Sequence, residues 1–427
     1  MLRNCALEEI NMQSVQVKVV ESELITQGLG CVADYYKIRL HDEDPEIFDL
    51  LDFDNDKAFL TPLLSAYFYL RFTRDQELKL ASSLLMPLRQ IIYGFIPVKA
   101  RPKRVPVVSD NQGRVYLPNL GTLMIQAPNI QAELGWDWSY AAFSVWINGQ
   151  KQAAVFEKPI YIPGTGIEVL QSNPAYFQPL FNDMERSGEQ TSAMNDDATH
   201  KSPYLGRLGE LQTAFSLLKT CLPEFYRQVR LVANAVMVLE DPTVRSFASP
   251  FAFGVAFISS APANRDRVVF YLTELIHQFG HCMLHAIMPI DSDYFQADSG
   301  DPMAKYNGNP TEQRTLYSAL HGLYTTAKTA ECFDALCQNN ALSEAQRYEV
   351  VARLADNKRR FRTGLEKINF AQIFTAQGLA LYQYLDELCA AVYERLDPLI
   401  AGYDVSNQRF VFSMNRFYEA NPGYPRA

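Results

Sequence analysis

Histidine is scarce in this chain, and most of it is concentrated in one place. Of the six histidines in 427 residues, His277, His281, His285 and His321 fall within one stretch of the C-terminal half. The first three lie in RDRVVFYLTELIHQFGHCMLHAIMP, where Val268, Phe270, Tyr271, Leu275, Ile276, Phe279 and Met283 recur at helical spacing. That pattern predicts a helix buried on much of its circumference, with Asn264 placed to cap its start and Pro289 to end it. Positions i and i+4 of a helix share a face one turn apart. His277 and His281 can therefore present two imidazoles to one metal ion, as in the zincin-like HxxxH arrangement. The intervening run is His277-Gln278-Phe279-Gly280-His281. The zinc-peptidase Glu that takes a proton from metal-bound water is replaced here by Gln278, which has no basic carboxylate. Two satisfied histidines on a core helix would give the same spacing.

A second segment, PTEQRTLYSALHGLYTTAKTAECFDAL, predicts a helix from about Glu312 to Leu336 with His321 well inside it. His321 is the expected third ligand. Arg314 would lie on the same helical face two turns earlier, a rise of roughly 10 Å. An Arg so placed can clamp the carboxylate of a co-substrate, or simply pair with Glu312 near the helix start. Glu274 and Glu331 can each supply a carboxylate ligand or a hydrogen bond to a ligating imidazole, and each can equally be a solvated charge. His285 continues the stripe of His277 and His281. It reads as a group supporting the ligands, or a core histidine, more than as a ligand.

Composition bounds the rest. Hydrophobic residues make up 48% and charged residues 20% of the chain, which fits a soluble globular protein with room for a sizeable core. The formal net charge of -9 argues against a general nucleic-acid binder. The seven cysteines are odd in number and form no CxxC pair, so a disulfide framework is not expected and a cytoplasmic setting is. The N-terminus lacks the apolar core of a signal peptide, and no apolar run approaches the roughly 18 residues of a membrane span. The expected fold class is α+β: mainly helical, with a small antiparallel sheet region and a C-terminal helical metal-binding domain.

Four regions follow in order. Residues 1–98 read as mostly helical, although Ser14 to Glu21 alternates Val with polar residues and can be a strand. Residues 99–182 are β-rich, with DNQG and NGQ between strand-like runs in a hairpin pattern. Residues 183–203 read as a flexible linker or loop. Residues 204–427 form the helical metal-binding catalytic region, with a polar loop from Asp291 to Gln313 that can cover the site. Trp136, Trp138, Trp146 and Phe143 suit core packing or a peptide groove.

Three pieces together, SFASPFAFGVAFIS, ELIHQFGHCMLHA and RTLYSALHGLYTTAKTAE, resemble the HExxH-type peptide β-hydroxylases that modify ribosomally made peptides. Arg314, His321, Gly322 and Tyr324 stand at positions matching that family's second motif, and GRVYLPNLGTLMI is also similar to a family segment. The departure is Gln278 in place of Glu. The resemblance implies a 2-oxoglutarate-dependent dioxygenase with Fe(II) held by His277, His281 and His321, or by two of these and a carboxylate. It implies that Arg314 pairs the far carboxylate of 2-oxoglutarate, and that the substrate is a peptide, possibly with a leader segment. Two alternatives stand beside it. One is a degenerate zincin-like zinc hydrolase drawing its base from Glu274 or Glu331. The other is a non-catalytic peptide- or partner-binding protein with a vestigial metal site.

Overall fold

The computed structural model describes residues 14–72, 86–137, 142–171, 177, 204–239, 245–261, 266–361, 368–409 and 412–422. The protein is α+β, with helices dominating and strands confined to small sheets. The chain forms two compact units, each assembled from separated segments. These units cut across the four consecutive regions read from the sequence. The expected linker at 183–203 and Trp138 lie outside the described residues.

The sheet-bearing unit comprises Leu29–Gly206 and Ala233–Ser260. Its longer described helices are the second part of α1 (Ser14–Glu43) and α2 (Pro62–Phe72). Strands β1 (Val105–Val108), β2 (Arg114–Leu117), β3 (Gly121–Met124), β4 (Gln131–Asp137), β5 (Ala142–Ile147), β6 (Gln150–Gln152) and β7 (Val155–Glu157) form two antiparallel sheets, ordered β1-β4-β5-β6 and β2-β3-β7. NGQ makes a hairpin: Asn148 and Gly149 both take positive φ, 49° and 78°, and join β5 to β6. DNQG does not. β1 pairs with β4 and β2 with β3, so this turn hands the chain from one sheet to the other. Asp110 accepts from the backbone of Gln112 and Arg114, and that bonding sets the turn without pairing the strands beside it. Fully buried Gln90 links the two sheets by donating to the carbonyls of Val108 and Tyr116 and accepting from Val108 N–H.

A third sheet departs from the antiparallel expectation. β8 (Ile160–Tyr161), β9 (Glu168–Val169), β10 (Ala235–Leu239) and β11 (Val255–Ser259) are ordered β11-β10-β9-β8, with β10 parallel to both its neighbours. β10 is buried at every position, which explains its continuous apolar run AVMVL. Phe143 packs on the apolar core of this unit and edge-on to Trp136, while Arg104 lies over Trp146.

The helical unit comprises Met1–Gly28, Arg207–Val232 and Ala261–Ala427. It contains the start of α1, then α3 (Tyr204–Cys221), α4 (Pro223–Val232), α5 (Arg267–Ile287), α6 (Leu316–Gln338), α7 (Glu344–Arg360), α8 (Ala376–Ile400) and α9 (Met414–Ala420). The stretch Ser14 to Glu21, read as a possible strand, is the first part of α1. Its alternation is short, and the helical spacing that follows through Leu24 and Ile25 carries the whole segment into one long element. Asp266 rather than Asn264 caps α5, accepting from Val269 N–H at 2.9 Å. α6 begins at Leu316, later than the sequence suggested, because the Thr315 hydroxyl accepts from Ser318 N–H and defines the start there. None of the described cysteines is in a disulfide. No described helix is long and apolar enough to cross a membrane.

Two glycines let helices meet. A Cβ on Gly28 of α1 would stand 1.6 Å from the Ala286 carbonyl oxygen of α5. A Cβ on Gly280 would stand 3.3 Å from Thr325 Cγ2 of α6. Deeper in the unit, Lys328 of α6 bonds Glu21 of α1 at 2.9 Å and Glu331 at 3.0 Å, and Tyr324 and Gln228 also donate to Glu21. Lys328 and Glu21 are almost wholly buried, so the carboxylates offset the desolvation that opposes the ammonium. Gly28→Ala is expected to lower the unfolding free energy by at least ~2 kcal/mol, because no side chain rotation relieves a clash with backbone. Urea denaturation measures this; a midpoint unchanged from the parent would mean that α1 does not touch α5.

Candidate metal centre

Nearly all of α5 is buried. The middle of the helix keeps partial exposure only at Thr273, Glu274, His277 and His281. Glu274, His277 and His281 follow at i, i+3 and i+7, a single stripe open to solvent in an otherwise enclosed helix. His285 continues it one turn deeper and is 6% exposed. From the facing helix, His321 enters the same space at 4% exposure.

The rings form a connected group. His277 and His281 have centroids 4.9 Å apart, His281 and His285 6.4 Å, His281 and His321 5.5 Å, and His285 and His321 5.0 Å. Tyr317, one turn before His321, lies 4.0 Å from it centroid to centroid. The structure thus brings all four clustered histidines together. His321 meets His281 and His285, whereas the ring contact of His277 is with His281. His281 Nδ1 and His321 Nδ1 are 3.2 Å apart.

That separation has two physical readings. One imidazole can donate to the other, tautomers permitting. Alternatively, both nitrogens can point at one cation. With metal–nitrogen bonds of about 2.1 Å and an angle between them of about 90–110°, two ligands stand about 3.0–3.4 Å apart. Among the described residues, no three His, Cys, Asp or Glu side chains are already arranged to hold a metal. The donor chemistry nevertheless fits one. His285 Nδ1 and His321 Nε2 are enclosed and have no hydrogen-bond partner. Burial holds His281 and His321 well below the usual imidazole range, with neighbouring histidines pushing further in the same direction, and it lowers His277 despite the opposing pull of Glu274. His285 is lowered by burial to about 3. Neutral imidazoles with free lone pairs are the ligating form.

The other expected residues are placed differently. Gln278 is buried, and its Oε1 has no partner. Glu274 sits at the open stripe beside His277 and acts on it electrostatically. Glu331 is held by Lys328 and lies ten positions beyond His321, roughly 15 Å along the axis, too far to share an ion with it. Arg314 precedes α6 rather than lying on it, because the chain is still turning before the Thr315 cap. Its guanidinium is bidentate on Glu312, at 3.0 and 2.7 Å, and Nη1 lies 4.0 Å from where a Gly322 Cβ would be, next to His321 in sequence. The loop from Asp291 to Gln313 is fastened to the start of α6: Leu316 N–H donates to Asp301 and Tyr317 N–H to Ser299.

Sequence reasoning did not single out Tyr317, Gly280 or Thr325. Tyr317 is readable in hindsight as i−4 from His321. The Gly280–Thr325 approach has no local signal.

No protein-family model matches the chain, and no curated protein matches it.

A histidine neutral in the folded state and near its ordinary value when unfolded binds a proton only on unfolding. The unfolded chain then holds more protons between the ordinary imidazole value and about 3, so stability falls as pH drops through that window. His285 alone contributes a slope of roughly 1.4 kcal/mol per pH unit there. Denaturant titrations at pH 7.5 and 5.0 should show His285→Leu flattening this slope; a parallel pair of curves for parent and variant would assign the acid sensitivity elsewhere.

Proposed function

We propose that this chain is a non-haem Fe(II)- and 2-oxoglutarate-dependent oxygenase that hydroxylates, or otherwise oxidises, an unactivated carbon, with a ribosomally made peptide as its substrate. The observation that carries the reading is the 3.2 Å pair of ring nitrogens, His281 Nδ1 and His321 Nδ1, contributed by two different helices. The residues assigned to the metal are His277, His281 and His321. Two imidazoles with open positions beside them suit a non-haem iron centre that must also admit a chelating co-substrate. The choice of oxygenase chemistry rests on the resemblance of the HxxxH helix and the RxxxxxxHG segment to the peptide β-hydroxylases. When bound, iron and 2-oxoglutarate would activate O2, which is the oxidant for both the co-substrate and the substrate carbon.

The protein's own residues have definite tasks in this reading. Neutral imidazoles offer lone pairs without first losing a proton. The open stripe on α5 leaves an approach to His277 and His281, while Tyr317 closes one side of His321. Arg314, held beside Gly322 by Glu312, is the cation for the far carboxylate of the co-substrate. Gln278 cannot take a proton from water, which disfavours the peptidase route without touching oxygenase chemistry. A zinc hydrolase has one observation in its favour: the donors gathered here are all imidazoles, a set zinc also accepts. It would need a base, and Glu274 is the carboxylate beside the stripe.

Purified anaerobically, loaded with Fe(II) and then exposed to O2, the protein should convert 2-oxoglutarate to succinate and CO2, faster with peptides encoded nearby. His281→Ala and His321→Ala should abolish turnover. Arg314→Ala should raise the 2-oxoglutarate requirement at least roughly tenfold, the scale of a lost charge-assisted pair, with metal affinity changed far less. No succinate from the iron-loaded protein, together with peptide hydrolysis by a zinc-loaded Gln278→Glu variant, would replace the oxygenase with the zinc enzyme.

A further inference from the structure

Four large apolar side chains lie exposed together on the sheet-bearing unit. Tyr35 and Ile38 of α1 are 46% and 62% exposed, and Phe53 and Phe72 beside them 55% and 48%. Single exposed apolar residues need no explanation, whereas a contiguous group marks a place of contact. Along α1, Cys31, Asp34, Tyr35, Ile38 and Asp42 are all exposed and follow at i, i+3, i+4, i+7 and i+11, which sets them on one outward stripe. Ile38 stands at its crest. Successive residues turn by about 100° around a helix, so Lys37 and Arg39 fall on opposite shoulders of Ile38. Each shoulder holds an aromatic ring. The Lys37 ammonium lies 4.4 Å from the centroid of Phe53, and the Arg39 guanidinium 4.8 Å from that of Phe72 and 5.1 Å from that of Tyr35. Two cations thus fasten aromatic rings to either flank of an apolar crest.

The surroundings of the crest are acidic. Residues 34–57 carry nine Asp or Glu against three Lys or Arg, a net charge of −6 in a chain whose total is −9. Lys37 is engaged by Asp34 at 3.4 Å and Asp56 at 2.9 Å, and Arg89 by Asp44 and Glu46. Asp42 on the stripe, and Asp49, Asp52 and Asp54 on the chain either side of Phe53, are exposed. That charge selects the occupant. A second copy would bring two acidic rims together, and nucleic acid or an anionic lipid surface would meet like charge. A cationic segment is attracted instead, and a crest with helical spacing is met most fully by another helix lying along it. We propose that this face of α1 docks a basic amphipathic helix of a partner protein. The partner's apolar stripe lies on Tyr35 and Ile38, between Phe53 and Phe72, and its Lys and Arg side chains reach the surrounding carboxylates. Nothing in this depends on the metal reading.

The test is binding of a fluorescent 18-residue amphipathic helix built of Leu and Lys to the full chain, read by anisotropy, beside the same peptide with Glu in place of Lys. The Lys peptide should bind and the Glu peptide should not, and raising salt from about 50 to about 300 mM should weaken binding at least roughly tenfold. Tyr35→Gln combined with Ile38→Gln leaves the charge unchanged and should weaken binding at least roughly tenfold, the scale of losing interface anchors. Val155→Gln, at an equally exposed apolar position on β7, should leave binding unchanged. Hydrogen exchange on the parent, which needs no variant to fold, should show the Lys peptide protecting residues 31–42 and 49–57. Absence of binding, or protection confined to other segments, would overturn the proposal. So would parent-like affinity in the folded double variant, which would reduce the effect to general charge attraction. A parent that sediments as a dimer, and becomes monomeric on Ile38→Gln, would give the face to a second copy instead.

Discussion

The close approach of α5 and α6 at Gly280 is the contact on which the histidine cluster depends. Side chains on two helices can share one ion only if the backbones come near enough for imidazoles to span the gap. With no side chain at Gly280, Thr325 occupies that gap, and its hydroxyl turns back to the His321 and Gly322 carbonyls of its own helix. His281 and His321 flank the contact, one residue and one turn away respectively. On the opposite flank of α5, Gly28 brings α1 against the Ala286 carbonyl, beside His285. The helix that carries three histidines is thus gripped from two sides at glycines.

The same helices carry a second polar group whose chemistry is the reverse. Lys328, Glu21 and Glu331 are charged and mutually paired, and Tyr324 and Gln228 complete the bonding of Glu21. Removing one partner from such a group leaves an uncompensated charge in the interior. The histidine cluster carries no charge and leaves two nitrogens unpaired. Two turns of α6 separate a charge-paired network from an uncharged cluster with unpaired ring nitrogens. Paired polar groups help hold a fold together, whereas the unpaired nitrogens of the histidine cluster mark the place where the proposed metal would bind.

Electrostatics and chemistry agree about what that place favours. Neighbouring imidazoles add to burial in lowering the affinity of His281 and His321 for protons, so protonation and cation binding would compete for the same lone pairs. Gln278 is buried in the middle of the motif and brings no base. The proposed reaction asks for no such base: the metal and an anionic co-substrate would do the work, and the protein would supply position, enclosure and the Arg314 cation.

Much of this was written in local pattern. The burial of α5, its HxxxH stripe, the missing carboxylate at Gln278 and the placement of His321 in a later helix all follow from residue spacing, because helical periodicity is a property of a short segment. The β-rich stretch and the Asn148–Gly149 hairpin are legible for the same reason. Pairing at a distance is not. DNQG resembles a hairpin turn but connects different sheets, β10 finds parallel partners, and Arg314 falls before the Thr315 cap. The sequence by itself determined which residues could ligate and which catalytic base was absent. Only the tertiary structure decided that His285 would meet His321 and that Lys328 would meet Glu21, because those outcomes depend on where separate helices touch.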